Sequence, residues 1–482
     1  MRDSTANGGV HQKFNMADQA SEARDAAGSF SLLDLVVYGC ILLFVFYDFV
    51  DGFRGNLSIL VQMQFFAMEV LSLFFFLFDK SSYSIHKFLL LYLFVFEGFA
   101  PLQQYRSDSN LWGVIFNTDE LYVYSNLLVF VFLLAFEFGY RYFRQSTPGA
   151  PTFLEQRMEA RFALTTQALV SFVLLDLSAV LYLGVTGQLM GKVDSDGAMM
   201  TDTITAAVKI ALQTVCIATL IVYVLMRREG RVTASAVSQS IYKGISIICI
   251  GLVYFPLWGS MSRFLLFAVY IMLVVLLYPR LRHPSLLFLV VFVGFAYVFP
   301  AFNFFKYHGF SDISQFEFSN ANFNFYDFDA HQCFMVTIDY TINRGCSWGM
   351  NILSSVLCFV PRGIWPVKWQ PSGQVIFTDY GAPFANVSCP VYAEFFLAFG
   401  IAGLVVLSIL MGRVVKFVEE SYDRGSILVQ GVCVILIGMA IYIARGALLP
   451  TCAYTFSVIM SLMFAYFVAK ACGDLARSGR GR

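Results

Sequence analysis

Charge is what this 482-residue sequence lacks: only 13% of its residues are Asp, Glu, Lys or Arg, against 58% hydrophobic and 17% aromatic. A soluble domain carries about 25% charged residues, and a water-facing surface built from so few would leave large apolar patches exposed. The 32 basic and 32 acidic residues cancel, and no dense basic stripe interleaves with stacking aromatics, which argues against nucleic-acid partners. There is no P-loop, no G-x-S-x-G elbow and no H-E-x-x-H, so nucleotide-driven and protease chemistry have no handle. Neither an internal repeat nor a matched pair of Gly/Pro-broken spans is present, although many transporter folds are built from such repeats. Segments of about ten residues alternating in polarity, the mark of an outer-membrane barrel, are missing too.

What is present instead is a series of unbroken apolar runs. Twelve are long enough to cross about 30 Å of hydrocarbon, near 31–50, 57–78, 86–102, 121–140, 162–187, 204–226, 242–259, 263–279, 285–303, 390–412, 426–444 and 447–469. The expected fold is therefore all-α, a polytopic membrane protein with about 12 transmembrane helices. Residues 1–29 form a polar tail without an apolar h-region or cleavage site, expected to be disordered and cytoplasmic, so that the first span doubles as insertion signal. Residues 30–303 hold spans one to nine, 304–389 one large loop, 390–469 spans ten to twelve, and 470–482 a second cytoplasmic tail.

Lys and Arg set the orientation. With the amino terminus inside, 22 of the 32 basic residues fall in inside segments and nine in outside ones, with Lys209 alone in mid-span. Both termini are thus expected in the cytoplasm and the large loop outside. A loop of this length is uncommon unless functional. Within it, Met350 to Val360 is apolar but too short to span, and reads as an amphipathic helix in the membrane interface. Pro361, Pro366 and Pro371 then stiffen the stretch PRGIWPVKWQP.

Four arginines lie outside or at the outer boundary: Arg263, Arg344, Arg362 and Arg445. An Arg at such a depth costs a few kcal/mol unless paired or wet. Each has a bland explanation in a salt bridge, yet guanidinium groups bind phosphate bidentately, and several converging on one cavity would hold a pyrophosphate. Among in-span acids, Asp34, Asp48, Glu69, Glu97, Glu137 and Asp176 read as interhelix hydrogen-bonding partners. Glu394 differs because it opens span ten directly after the loop. The loop also carries FYDFDAHQC, with Asp327, Asp329 and His331, and an earlier His308. D-x-D-x-H fits no standard zinc spacing, so no metal is expected, and a general base from this set is the better functional reading. Cys333, Cys346 and Cys389 fall in the loop, where an oxidising compartment would permit one bridge and equally permit none.

FVPRGIWPVKWQPSG, then VYAEFFLAFGIAG, then IARG, together resemble the Wzy-type polymerases of bacterial O-antigens and related surface polysaccharides. The resemblance rests on Pro361, Arg362, Ile364, Trp365, Pro366, Lys368, Glu394, Phe399, Gly400, Gly403, Arg445 and Gly446, with Ser262-Arg263 opening span eight. Trp369 stands where the family often has Pro. The resemblance implies a GT-C-like, metal- and cofactor-independent glycosyltransferase of the bacterial inner membrane, with its active site facing the periplasm and the large loop periplasmic. It would move a growing chain from undecaprenyl pyrophosphate to the non-reducing end of a new lipid-linked repeat unit. Expected partners are that lipid-linked oligosaccharide, membrane lipids and a chain-length regulator. Arg263, Arg362 and Arg445, with Arg344 as a fourth, would bind pyrophosphate. Glu394, His331 or Asp329 would serve as base, and Trp365, Trp369 and Tyr392 would contact glycan. An O-antigen ligase would share this chemistry, and a flippase or other transporter would use a charged central path, of which Lys209 and Asp176 are the only hint.

Overall fold

The computed structural model describes residues 31–79, 81–142, 162–189, 203–256, 258, 262–281, 283–299, 323–382, 387–422 and 425–478. The whole amino-terminal tail, His308 and residues 479–482 lie outside the described residues. Among the described residues, nine helices precede the long connecting segment: α1 Leu32–Asp51, α2 Ile59–Phe78, α3 Ile85–Arg106, α4 Asp119–Arg141, α5 Thr166–Val185, α6 Thr203–Arg228, α7 Ala236–Val253, α8 Arg263–Leu277 and α9 Pro284–Val298. The segment itself folds into α10 Ala330–Arg344, α11 Met350–Val356 and α12 Ser372–Asp379, and α13 Val391–Tyr422, α14 Ile427–Arg445 and α15 Leu448–Ser478 follow. Ten of these are long and apolar enough to cross a membrane, while α8 and α9 are shorter apolar helices at the expected eighth and ninth spans. The chain is a multi-pass, all-helical membrane protein among its described residues.

Local chemistry starts several of the helices. Side-chain oxygens of Ser31, Ser84, Thr118, Thr165 and Ser235 each accept an N–H of the helix that follows, α1, α3, α4, α5 and α7, relieving first-turn donors that hydrocarbon would leave bare. In-span acids then join helices. Asp34 accepts from Ser285 of α9 at 2.6 Å, Asp48 from Arg106 of α3 at 2.8 Å, and Asp176 from Thr219 of α6 at 3.0 Å. Helices α4 and α13 touch backbone to backbone. A Cβ at Gly139 would come within 2.1 Å of Ile409 O, and one at Gly412 within 2.3 Å of Phe136 O, so only glycine permits this contact.

Span ten is not one rod. Phe399 (φ −149°) and Gly400 (φ 63°, ψ −146°) break α13 into a buried inner half, 391–398, and a longer half from 401. The Gly400 conformation is essentially closed to residues with a Cβ, which gives the Phe-Gly pair of the sequence motif a structural meaning. Backbone N–H of Ser347, just before α11, donates to Leu397 O at 2.9 Å beside the break.

The stretch expected to hold a short amphipathic helix contains α11, shorter than anticipated, with a turn carrying the chain on to Val360. Its polarity is inverted relative to a soluble helix. Asn351, Ser354 and Ser355 are buried, while Leu353 and Val356 are 46% and 65% exposed, so the polar face turns into the protein and the apolar face outward. Phe359 stacks on Phe456 of α15, with ring centroids 5.4 Å apart. The proline-rich stretch folds back beneath α11: Lys368 Nζ donates to the carbonyls of Leu357, Cys358 and Val360 at 3.1, 2.7 and 2.9 Å, closing the helix end with a cation where its dipole is negative. All ten cysteines are free thiols.

Candidate functional site

A π-helical turn, Phe94–Phe99, interrupts α3 and carries Glu97; such turns widen the backbone and recur at functional sites. Gly98 beside it admits Glu69 of α2, whose Cγ would lie 2.5 Å from a Cβ at that position. Glu97 faces two elements distant in sequence. Its Oε2 is 2.7 Å from His331 Nδ1 at the start of α10, and its Oε1 accepts the hydroxyl of Tyr392 in the inner half of α13. Tyr92, one turn earlier in α3, lies 3.3 Å from the Tyr392 hydroxyl. His331 Nδ1 faces the Glu97 carboxylate, and its other ring nitrogen, Nε2, stands 3.0 Å from the Ser125 hydroxyl of α4, which itself donates to Tyr122 O at 3.0 Å. Phe65 and Tyr122 enclose the imidazole edge-on and by stacking. Carboxylate, imidazole and hydroxyl thus stand in the order that lets a base take a proton from a hydroxyl.

Next to this line, Asp329 N-terminal to α10 receives Ser388 Oγ at 2.7 Å and Arg445 Nη2 at 3.0 Å. Arg445 also donates to the carbonyls of Asp327 and Tyr326 at 2.9 and 3.0 Å, and its guanidinium sits 4.3 Å from the ring centre of Phe264. Burial pushes the Asp329 carboxyl above its usual range, with Arg445 and Ser388 pulling the other way. Arg263, the neighbour of Phe264, is buried and donates to Pro256 O at 2.7 Å. Arg445 of α14 thus lies over Phe264 of α8, while Arg263 turns to the Pro256 carbonyl that precedes the helix.

The other expected residues have different surroundings. Glu394 is buried and accepts three hydrogen bonds, from Ser372 (2.6 Å), Asn351 (2.8 Å) and the backbone N–H of Leu448 (2.9 Å). It ties α11 and α12 to the first turn of α15, a site where a carboxylate is favoured by the helix dipole. Arg362 is exposed and turns onto its own loop, donating to Lys368 O, Trp369 O and Gln370 Oε1 at 2.6, 3.0 and 3.0 Å. Trp365 is half-buried in that turn, and Trp369 N–H donates to Ser354 of α11 at 2.9 Å. Arg344 is exposed at the end of α10. Tyr392, expected to stack on sugar, is instead fully buried with its hydroxyl on Glu97. The D-x-D-x-H residues diverge, Asp329 toward Arg445 and His331 toward Glu97. Among the described residues no group of three or more His, Cys, Asp and Glu is arranged to hold a metal ion.

Glu97 and Ser125 were not singled out as site residues by sequence reasoning. Glu97 is one of six in-span acids with nothing in its local pattern but the following glycine to set it apart, and Ser125 is an ordinary serine on a span. No family profile, curated protein or solved structure matches the chain.

Proposed function

We propose that this protein is a membrane-embedded glycosyltransferase of the Wzy type, joining lipid-linked oligosaccharide repeat units at the periplasmic face of the bacterial inner membrane. The observation that carries the reading is the convergence of a carboxylate-backed imidazole, Glu97 and His331, with a boundary arginine, Arg445, whose counter-ion Asp329 is only two residues from His331. Transfer from a polyprenyl pyrophosphate needs two things: a base for the attacking sugar hydroxyl and fixed positive charge for the departing diphosphate. His331 Nε2, already facing a hydroxyl in Ser125, supplies the first. Arg445 and Arg263 supply the second, with Arg362 and Arg344 on the exposed loop able to meet the polar headgroup as it arrives. Glu394 acts in this scheme as an organiser of the loop, holding α11 and α12 against α15, and Asp329 orients Arg445.

The test is reconstitution of the purified protein in liposomes with a purified undecaprenyl-pyrophosphate-linked repeat unit. Polymer of rising length, with release of the lipid pyrophosphate, is the expected result. Transfer onto a lipid A core acceptor alone would assign a ligase instead, and movement of the unit across the bilayer without new glycosidic bonds would assign a flippase.

A further inference from the structure

Helix α11 runs between the break in α13 and the first turns of α15. Just before it, Ser347 N–H bonds Leu397 O beside the break, and Gly349 comes so close to the Phe399 ring that a Cβ there would lie 2.7 Å from Cζ. Beyond its end, Phe359 stacks on Phe456 of α15. Its polar face is occupied inside the protein: Asn351 donates to Glu394 Oε2 at 2.8 Å, and Ser354 accepts from Trp369 N–H at 2.9 Å. The stretch from Met350 to Val360 holds no charged residue. What faces outward is apolar: Trp348, Leu353, Val356 and Phe359, each between 46% and 78% exposed.

We propose that this outward face lies in the bilayer, at the edge of the hydrocarbon on the side of the long connecting segment, and docks on the acyl chains of membrane phospholipids. An amphipathic helix lying on a membrane keeps its polar face in water; α11 turns that face into the protein, so its apolar face is the one left to find a solvent. The occupant follows from continuity with two helices long and apolar enough to cross a membrane. On α13, Ile401, Val406, Leu410, Val414 and Phe417 are exposed, whereas every residue from Val391 to Ala398 is buried. From Ile401 to Phe417 the helix rises about 24 Å, close to the roughly 30 Å of a hydrocarbon core, which sets the break at one edge of that core. On α15 the exposed row of Phe456, Met460, Phe464 and Phe467 begins at the very ring on which Phe359 stacks. Helix α11 joins the tops of the two rows into one band, and Trp348 stands at its margin, the level tryptophan favours. A protein partner covering α11 would have to cover both crossing helices as well. The band is independent of any sugar transfer; through Asn351 it ties lipid contact on one face of α11 to the seating of Glu394 on the other.

Tryptophan fluorescence of the purified full-length protein in phosphatidylcholine vesicles tests this, with quenchers borne by lipid or by water. Leu353→Trp and Val356→Trp each add one indole at an exposed position, and the difference between wild type and Trp348→Phe isolates the native one. Brominated phosphatidylcholine should remove most of the emission assigned to each position, more with bromine toward the headgroup end of the chain than toward its terminal methyl. Iodide on both sides of the vesicle should remove little. Asn343→Trp, at the exposed end of α10, should respond in the reverse sense. Three separate positions keep the test decisive if one variant fails to fold. Quenching of the α11 positions by iodide and not by brominated lipid would put this face in water. Quenching by neither would put it under protein, a second copy of the chain included. Either result overturns the proposal, as would equal lipid quenching at Asn343 and Val356 or stronger quenching from the methyl end.

Discussion

His331 Nδ1 lies 2.7 Å from Glu97 Oε2, although 234 residues separate the two in the chain. One residue sits on the π turn of a transmembrane helix and the other on a helix of the long connecting segment, so the pair fastens that segment into the bundle. The other ring nitrogen of the imidazole, Nε2, stands 3.0 Å from the Ser125 hydroxyl. In the proposed reaction, fold and chemistry share the Glu97–His331 contact.

If His331 is the base, His331→Gln should lower polymer formation per molecule on the order of a hundredfold or more. Glu97→Gln, which keeps an oxygen for Nδ1–H or the Tyr392 hydroxyl but loses the charge, should fall between that and wild type. Quantifying polymer against protein in reconstituted vesicles checks both. Full activity per molecule in His331→Gln would return this pair to a purely structural role.

Removing Arg445 alone leaves Asp329 buried without its cation, which typically costs about 3–5 kcal/mol. Arg445→Ala should thus accumulate poorly in membranes, and pairing it with Asp329→Asn should recover much of the protein. The recovered double variant should still make little polymer, because the charge facing the leaving group is gone. Abundant, active double variant would show that Arg445 serves only Asp329.

Burial holds the Asp329 carboxyl above its usual value of 3.8. Between that value and the folded one the native state binds more protons than the unfolded chain, so this group's contribution to stability falls as pH rises through the window and is fully present below it. Lowering the pH from 7 toward 4 should raise the melting temperature of the wild type relative to Asp329→Asn. Parallel curves for the two proteins would contradict the assignment.

Arg362 separates charge from geometry. Its exposed guanidinium already closes a turn through three acceptors, and a hydrogen bond to the charged headgroup of an arriving substrate is worth about 1.5–3 kcal/mol, roughly ten- to a hundredfold in binding. Arg362→Ala should therefore lose most polymer synthesis at near-normal protein level, and Arg362→Lys should lose less, since it keeps charge without the planar fork. A fall in abundance with activity per molecule retained would mark the residue as a clasp for the proline-rich turn.

Orientation is open to direct measurement. A cysteine placed at the exposed Asn343 should react with an impermeant reagent from the periplasmic side, and one at the exposed Ser235 should not, after native thiols are blocked. Labelling in the opposite sense would move the proposed site to the cytoplasm.

Apolar run length by itself determined that this is a helical, multi-pass membrane protein and where its apolar helices lie, because hydrocarbon forces every crossing segment to satisfy its own backbone. Basic residues in turn give an expected sidedness. The sequence also isolated the Phe399-Gly400 pair, Arg445 and the Asp329–His331 stretch. What it could not decide was who meets whom. Glu97 looks like any other in-span acid until α10 brings His331 against it, and Glu394 looks like a base until Ser372, Asn351 and Leu448 N–H fill its oxygens. The break in α13 likewise depends on a distant segment, where Ser347 N–H takes up the Leu397 carbonyl beside it. Local pattern encodes which segments leave water; long-range packing alone assigns a buried polar group its partner, and that partner decides whether the group caps, pairs or reacts.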